Sequence, residues 1–400
     1  MKILQINAFC GVGSTGKIAV DIANSLSDND KCYIAYGYLN TDYSNTYKLL
    51  KFSNSTFYKI KLLYNRIIGT TGKTNKYGTK KFIKWIKQYK PDIIHLHNIH
   101  GDYIHLKTLI EYLKSSRIPV VWTLHDCWPF TGRCSYFDYN KCFKWKTGCE
   151  KCKFKNVYPI TYFFDKSRRD WNQKHDWFTG IKNLTIVTPS QWLANYVSLS
   201  FLGEYPIKVI NNGVDLSKFY PIKDYLSLIK SYKLKNKKIL LGVAGSWSFR
   251  KGLDYFVQLS KILPTNYQIV LIGLNKQQIK DLPNNIIGLS STSSQDELRM
   301  WYSLANVYIN PTLDDNYPTT NIEAQACGTP VITFNTGGSP ETIKSNFGIV
   351  TEEKTVLSLY NAIESILSNT KVPKIDTYIY SKERAASEYV KLYNEITSSY

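Results

Sequence analysis

The sequence predicts an α/β protein with two domains, each a parallel sheet with helices on both faces. One observation is the length of 400 residues, more than one hydrophobic core usually supports. A second is the alternation of short apolar runs with helical patterns, which is typical of parallel sheets. The third is that this alternation begins again after Asp215.

In the first half, five short apolar runs predict buried strands. They are Ile3–Ile6, Cys32–Tyr36, Ile93–His97, Val120–Leu124 and Thr185–Thr188. Helical patterns lie between several of them, at Phe82–Tyr89 and Tyr103–Ser115. Because open parallel sheets bind ligands beyond the carboxyl ends of their strands, we expect function in the loops that follow these runs.

The second half repeats the pattern with five more predicted strands. They are Ile239–Val243, Gln268–Ile272, Ile286–Leu289, Val307–Asn310 and Pro330–Phe334. We therefore predict domains at residues 1–212 and 213–380, with a Cys-rich insertion at about 127–155 in the first. A final helix, Ser381–Thr397, lies within residues 381–400 and could pack back on the first domain.

The net charge of +20 is concentrated in residues 43–91, which hold twelve Lys or Arg and no acid. Nucleic acid, an anionic membrane surface and a polyanionic small ligand are all compatible with such charge. Apolar residues there recur at helical spacing among cations, as in a basic amphipathic helix on a membrane surface, although a solvated helix remains the alternative. These residues are Phe57, Lys59, Ile60, Lys61, Leu63, Tyr64, Arg66, Ile67 and Ile68.

No apolar run reaches the roughly 18 residues of a membrane span, and the first residues are too polar for a signal peptide. We therefore expect a cytoplasmic protein, with peripheral contact with the inner face of the plasma membrane as a further hypothesis.

The predicted strand Ile239–Val243 leads into a Gly-bounded loop, Gly245–Gly252, that carries Arg250 and Lys251 before an expected helix. Backbone N–H groups, a helix dipole and two cations at one place suit a diphosphate. The alternative is an ordinary loop with two exposed cations.

After the predicted strand Val307–Asn310, Asp315 and Glu323 lie eight residues apart, with Thr319 and Thr320 able to open a helix between them. Such a helix has unpaired N–H groups in its first turn. Carboxylates can bind sugar hydroxyls while these donors bind phosphate. A capped surface helix with solvated acids is the alternative.

Four segments, in order, resemble retaining glycosyltransferases of family 4, which have the GT-B fold of two facing Rossmann-like domains with an interdomain cleft. The segments are Val209-Ile210-Asn211-Asn212-Gly213-Val214-Asp215, Arg250-Lys251-Gly252, Asp315…Glu323-Ala324…Cys327-Gly328-Thr329-Pro330-Val331 and Gly337-Gly338-Ser339-Pro340-Glu341. The segment His125-Asp126-Cys127-Trp128-Pro129-Phe130 resembles a branch that builds bacterial surface polysaccharides.

The resemblance implies that Arg250 and Lys251 bind the donor diphosphate and that Glu323 binds the ribose. It implies that Asp315 binds donor-sugar hydroxyls, and that the turn with Thr319 and Thr320 caps the distal phosphate.

Two positions depart from the family pattern. Asp315 stands where the family usually has the longer Glu, which leaves the donor sugar open. Ser246 stands where many members have Arg, so phosphate binding should depend more on Arg250 and Lys251.

In the first half, Gly11–Lys17 matches the start of a P-loop, but Ile18 replaces the magnesium-binding Ser or Thr. A P-loop enzyme is therefore not expected, and the resemblance places this loop, with Gly13 and Ser14, near the acceptor and the phosphates. His97, His100 and His125 follow predicted strands and should face the same cleft, although single histidines are often structural. The resemblance places His125 near the reactive carbon of the donor sugar.

Four cysteines, Cys134, Cys142, Cys149 and Cys152, end in a C-x2-C pair that suits a structural zinc site, with free thiols as the alternative. No Asp-x-Asp run follows a predicted strand, and Asp314 and Asp315 are adjacent rather than spaced. We therefore expect no catalytic metal.

Together with the resemblance, the sequence predicts a hexosyltransferase that uses a UDP- or GDP-sugar and a glycan or polyprenyl-linked acceptor. Retention of the anomeric configuration is implied by the resemblance alone. Capsule or lipopolysaccharide synthesis is the expected setting, and nucleic acid is not an expected partner. A nucleic-acid-binding zinc module and a nucleotide-sugar epimerase on the same fold are the alternatives.

Overall fold

The computed structural model describes residues 1–38, 46–52, 65, 67, 69, 72–154, 161–162, 164–344, 347–369 and 377–398. The basic amphipathic segment predicted around Phe57 to Ile68 lies almost entirely outside these ranges. Within them, no helix combines the length and the apolar composition needed to span a membrane.

The chain forms two compact units. Unit 1 consists of Met1–Asn211 together with Ala385–Tyr400, and unit 2 consists of Asn212–Arg384. The division after Asn211 lies within one residue of the boundary predicted from the sequence.

Unit 1 is built on a parallel sheet of seven described strands in the order β3-β2-β1-β4-β5-β6-β7. The strands are β1 Lys2–Asn7, β2 Lys31–Tyr36, β3 Lys48–Lys51, β4 Ile93–Leu96, β5 Val120–Thr123, β6 Leu184–Thr188 and β7 Ile207–Val209. The helices are α1 Gly13–Asn24, α2 Lys76–Tyr89, α3 Leu106–Ser115, α4 Ser167–Phe178 and α5 Gln191–Ser198.

Unit 2 has a parallel sheet of six described strands in the order β10-β9-β8-β11-β12-β13. The strands are β8 Lys238–Val243, β9 Tyr267–Ile272, β10 Ile286–Leu289, β11 Val307–Asn310, β12 Val331–Phe334 and β13 Gly348–Thr351. The helices are α6 Leu226–Ser231, α7 Leu253–Leu259, α8 Lys276–Asp281, α9 Gln295–Leu304, α10 Thr319–Ala326, α11 Val356–Ser368 and α12 Lys382–Ser398, which runs on into unit 1.

Four inner strands are buried along their whole length, and each is apolar except for one residue. Every residue of β4, β5, β11 and β12 is buried. Helices cover both faces of such a sheet, so no strand face needs polar residues. The predicted fold class of two parallel α/β sheets is confirmed.

Three strands at sheet edges were not predicted, whereas the edge strand β10 was. β3 and β7 end the sheet of unit 1, and β13 ends that of unit 2. Their residues are mostly exposed or half-buried, and β3 reads Lys-Leu-Leu-Lys. Edge strands bury less apolar surface, so their hydrophobic signal is weak.

Helix α12 begins in unit 2 and belongs to unit 1 from Ala385 onward. Its residues Tyr389 and Tyr393 are buried in the core of unit 1. The Tyr393 hydroxyl lies 2.6 Å from His95 Nδ1, and the Tyr389 hydroxyl lies 3.1 Å from Thr123 Oγ1. The last helix is thus part of the first unit's core.

The segment that opens unit 2 is fixed against the start of α12. Val214 pairs with Ser381, and a Cβ atom on Gly213 would lie 2.3 Å from the Ser381 carbonyl oxygen. Asp215 accepts a hydrogen bond of 2.7 Å from Lys382 Nζ. Partial burial alone would raise the pKa of Asp215, but the hydrogen bonds from Lys382 and Ser217 outweigh it and lower the pKa to about 2.

Replacing Asp215 by Asn should destabilise unit 2 at neutral pH. Because the folded-state pKa lies below the unfolded one, the stabilisation is present above about pH 4 and is lost as the pH falls toward about 2. We expect a loss of about 1–2 kcal/mol at pH 7, allowing for solvent screening. Urea unfolding of both proteins between pH 2 and pH 7 should show their difference shrinking across this window; a constant difference would contradict the role of the charge.

Candidate active site

The loop after β8 is anchored at Trp247 and presents its cations at its end. Trp247 is buried, and its indole N–H donates to the Ile272 carbonyl at 2.8 Å. Residues Phe249–Lys251 form a 3₁₀ turn that ends at Gly252, where φ is 78°. The left-handed conformation is accessible to glycine at little cost, so Gly252 allows α7 to start directly after the cations.

This loop packs backbone to backbone against the loop after β11. The Leu313 N–H donates to the Arg250 carbonyl at 2.7 Å, and the Arg250 guanidinium donates to the Asp314 carbonyl. A Cβ atom at Gly252 would lie 2.1 Å from the Pro311 carbonyl oxygen. The two sequence segments expected to bind the donor therefore meet within unit 2.

An ion pair joins the two loops at the surface. Lys251 Nζ lies 2.5 Å from Asp315 Oδ2, and the side chains are 23% and 14% exposed. Burial would raise the pKa of Asp315, but the charges of Lys251 and Arg250 outweigh it and hold the pKa below its ordinary value. Asp315 is therefore ionised at neutral pH and can accept hydrogen bonds from hydroxyl groups.

The predicted binding residues are the accessible ones in residues 311–327. Every other residue of that segment is buried, whereas these four are half-buried. They are Asp315, Thr319, Thr320 and Glu323. Helix α10 begins at Thr319 after Pro318, and no side chain caps its first turn. Its first N–H groups are therefore donors for an anion, as the sequence pattern predicts.

Glu323 is oriented by a partner that the sequence did not reveal. The Tyr302 hydroxyl, fully buried on α9, donates to Glu323 Oε2 at 2.9 Å. This contact fixes one carboxylate oxygen, and a carboxylate can accept several hydrogen bonds, including those from a diol.

A buried amide network holds α10 in place beneath these residues. Asn321 is completely buried and donates to Thr342 Oγ1 at 2.8 Å and to Ser339 Oγ at 3.2 Å. The segment around Ser339 also passes directly under Asp315, whose carbonyl accepts the Gly338 N–H at 2.9 Å. A Cβ atom at Gly337 would lie 2.0 Å from the same carbonyl oxygen. Glycine at position 337 is therefore required for close packing under the site.

In unit 1, His97 and His125 form a direct pair. His97 Nδ1 lies 3.2 Å from His125 Nε2, and His97 Nε2 lies 2.9 Å from Gln5 Oε1. Burial lowers the pKa of His125 to about 4 and holds that of His97 well below its ordinary value. Both rings are neutral at pH 7.

His100 belongs to a neighbouring contact rather than to this pair. Its Nε2 lies 3.2 Å from Asp126 Oδ2, and its ring packs against Trp128. The buried Lys174 holds the same loop, donating to the Trp128 carbonyl at 2.6 Å and lying over the Trp128 ring. The loop after β5 is thus fixed from two sides.

The glycine-rich loop after β1 does not have the P-loop arrangement. Helix α1 already begins at Gly13, so Gly16 and Lys17 lie inside it rather than ahead of it. Gly13 and Ser14 are exposed at the start of α1, where no side chain caps the helix. Their predicted contact with acceptor or phosphate stays a prediction.

Two of the four clustered cysteines contact each other. The Cys134 and Cys152 thiols hydrogen bond, and Cys149 Sγ accepts the Gly132 N–H at 3.1 Å, while Cys142 is half-buried. Among the described residues, no three His, Cys, Asp or Glu side chains are grouped so as to hold a metal ion. The structural zinc site therefore stays a prediction.

Both halves of the chain match glycosyltransferase families. Residues 73–218 match Glycosyltransferase Family 4, and residues 226–384 match Glycosyl transferases group 1. With two parallel sheets carrying these sites, the chain is a glycosyltransferase of the GT-B fold, with a Glycosyltransferase Family 4 match in its first half and a Glycosyl transferases group 1 match in its second.

Among its relatives is the colanic acid biosynthesis glycosyl transferase WcaC of Escherichia coli, 23% identical over 99% of this chain and 100% of WcaC. Sucrose-phosphate synthase from Thermosynechococcus elongatus aligns with a TM-score of 0.66 at 15% identity over the full length of both chains. Anabaena Alr3699/HepE in complex with UDP and glucose aligns with a TM-score of 0.63 at 16% identity, covering 100% of this chain and 99% of that one.

The close approach at Gly252 should make Gly252→Ala costly. The added methyl group meets the Pro311 carbonyl, which cannot move without moving the end of β11. We expect a loss of about 2–5 kcal/mol in the free energy of unfolding, from left-handed strain together with overpacking. Gly328→Ala is a matched control in unit 2, since φ is 84° there but the nearest atom is at 3.4 Å. Equal losses in the free energy of unfolding of the two variants, measured with urea, would show that the loops move apart to accommodate the added methyl group.

If the cysteine cluster holds structural zinc, protein purified under reducing conditions should contain about one equivalent, because a closed site of four thiolates binds one ion. Elemental analysis should show this content falling in Cys152→Ser and unchanged in Cys32→Ala, which alters a buried cysteine of β2. Less than roughly a tenth of an equivalent in the unaltered protein would end the zinc hypothesis.

Proposed function

We propose that this enzyme is a retaining glycosyltransferase that transfers a sugar from a UDP- or GDP-sugar to a glycan or polyprenyl-linked acceptor in surface polysaccharide synthesis. The observation that carries the proposal is the meeting of the Arg250-Lys251 turn with the segment Asp315–Glu323. Cations, helix N–H groups and carboxylates are thereby assembled at one edge of the sheet in unit 2.

In the proposed donor complex, Lys251 and Arg250 bind the diphosphate, and the first turn of α10 with Thr319 and Thr320 binds its distal phosphate. Asp315 binds hydroxyls of the sugar, and Glu323 binds those of the ribose. Each group is accessible, and each has a partner that orients it or a backbone position that fixes it.

The pair Lys251–Asp315 couples phosphate binding to sugar binding. Without donor, each charge neutralises the other at 2.5 Å. A diphosphate competes with Asp315 for the ammonium group, and a sugar hydroxyl then takes the place of that ammonium at the carboxylate. A donor with both parts satisfies both residues, whereas a ligand with one part leaves one charge without its partner, which is costly in a partly buried site.

Electrostatic stabilisation of the departing diphosphate supplies only part of the rate. A Lys about 4 Å from phosphate contributes a few kcal/mol, and a helix N-terminus up to about 2 kcal/mol. Enzymes lower barriers by about 8–23 kcal/mol. The remainder must come from orientation of the two substrates and exclusion of water, worth up to about 7–11 kcal/mol. We propose that these cations and helix dipoles take the place of a divalent ion.

His125 is proposed to act at the donor sugar as a neutral hydrogen-bonding group. Its ring is half-buried, so part of it is accessible to a ligand. A burial-lowered pKa of about 4 keeps it uncharged at neutral pH. A neutral ring can accept a hydrogen bond from a sugar hydroxyl, which an imidazolium cannot.

The relatives support the nature of the substrates. HepE forms complexes with UDP and glucose and with UDP-glucose, and WcaC is named for colanic acid biosynthesis. The two alternatives, a nucleic-acid-binding module and an epimerase, gain no support from family matches that are glycosyltransferases in both halves. Contact with an anionic membrane stays a prediction, because the segment that suggests it lies mostly outside the described residues.

Alanine at Lys251 should lower kcat/KM for the donor by about 10²-fold, because it removes a charge-assisted contact to the leaving group. UDP- and GDP-sugars should first be screened by thermal shift, and transfer then measured as release of nucleoside diphosphate. Lys261→Ala, which removes an exposed cation of unit 2, is the control with the same change in charge.

Three results would contradict the proposal. Unchanged donor-induced stabilisation in Lys251→Ala would remove that residue from the site. NMR of the first-formed product showing an inverted anomeric configuration would refute retention. Formation of a new nucleotide sugar, without release of nucleoside diphosphate, would establish epimerisation.

A further inference from the structure

A chain of hydrogen bonds through the core of unit 1 ends on His125. It starts at Gln5, which is completely buried on β1, passes through the ring of His97, which is 1% exposed, and reaches the half-buried ring of His125. A buried side-chain amide is costly unless both of its polar atoms are paired. The pairing of Gln5 therefore constrains every hydrogen bond in the series from Gln5 to His125.

The amide of Gln5 is oriented by its donor side. Its Nε2 donates to the Ala19 carbonyl at 2.8 Å and contacts Cys32 Sγ at 3.6 Å. A carbonyl oxygen can only accept, so the NH₂ group must face Ala19 and the Oε1 atom must face His97. Since Oε1 is also only an acceptor, the proton on the neutral ring of His97 must lie on Nε2.

The protonation of His97 in turn sets that of His125. With its proton on Nε2, His97 has a lone pair on Nδ1, and Nδ1 lies 3.2 Å from His125 Nε2. An acceptor requires a donor, so Nε2 of His125 carries the proton, and Nδ1 is the basic nitrogen of that ring. The two rings are nearly parallel, with centroids 5.5 Å apart, and this geometry fixes the direction of the second ring.

We propose that Gln5 and His97 are positioning residues that hold His125 in its Nε2–H tautomer, so that Nδ1 accepts a hydrogen bond from a sugar hydroxyl of the substrate. The inference rests on the proposed role of His125 in transfer. Burial lowers the pKa values of both histidines and so keeps both rings neutral. Neutral rings are required for the relay, by which we mean the hydrogen-bonded series Gln5–His97–His125.

A neighbouring chain in the same core provides a control. His95 is paired with Tyr393 at Nδ1 and with Thr123 at Nε2, at 2.6 and 2.8 Å. Thr123→Val removes the two buried hydrogen bonds of Thr123, to His95 and to Tyr389, and none of those that join Gln5, His97 and His125. A loss of activity that Thr123→Val and Gln5→Met share is attributed to destabilisation of the core.

The first measurement is the tautomer itself, read from ¹⁵N NMR of the histidine rings in the full-length protein. We expect His125 and His97 as Nε2–H in the unaltered chain and in Thr123→Val. In Gln5→Met, which has a similar shape but no amide, we expect a mixture of tautomers at both rings. His125 found as Nδ1–H in the unaltered protein, or unchanged in Gln5→Met, would overturn the proposal.

The second measurement separates positioning from stability. Gln5→Met should lower kcat by about tenfold, the effect expected from loss of one net hydrogen bond, with the donor KM changed less than about twofold.

His97→Asn, which keeps an acceptor near the Nδ1 position, should retain more activity than His97→Leu. Equal losses in these two variants would overturn the relay. Full activity in His125→Ala would instead refute the role of His125 in transfer. The NMR measurement of the tautomers would still show whether Gln5 and His97 set the tautomer of His125.

Discussion

The close contact between two loops of unit 2 is the constraint on which the candidate donor site depends. Gly252 lies against the Pro311 carbonyl, and the Leu313 N–H donates to Arg250. These are backbone contacts, so they fix where the side chains of the two loops leave the main chain. The short ion pair between Lys251 and Asp315 follows from that contact, because the loops already hold the two charges at the same edge of the sheet.

The sequence could predict the parts of this site that are local. A glycine after two cations, and two acids eight residues apart around a helix start, are patterns of turn and helix chemistry. Inner strands such as β4 and β11 were also predictable, because complete burial favours mainly apolar residues. The edge strands were not, since half-exposed positions such as those of β3 accept Lys and carry little hydrophobic signal.

What sequence reasoning missed is long-range pairing of buried polar groups. Gln5 and His97 are 92 positions apart, and Tyr302 reaches Glu323 from a different helix. A signal was present in each case: a polar residue within a buried segment must find a partner. Gln5 in a buried strand and Asn321 in a buried helix turn are both residues for which a hydrogen-bond partner could be expected. The identity of the partner, however, depends on the packing of distant elements, which no local pattern specifies.

The last helix, α12, bears on how the protein is made. Unit 1 is interrupted in the chain, since its final residues follow the whole of unit 2. Tyr389 and Tyr393 fill its core and pair with Thr123 and His95, which are synthesised more than 250 residues earlier. Domains usually fold as they leave the ribosome, in order from the N-terminus. The core of unit 1 can therefore be completed only after the whole of unit 2 has been synthesised.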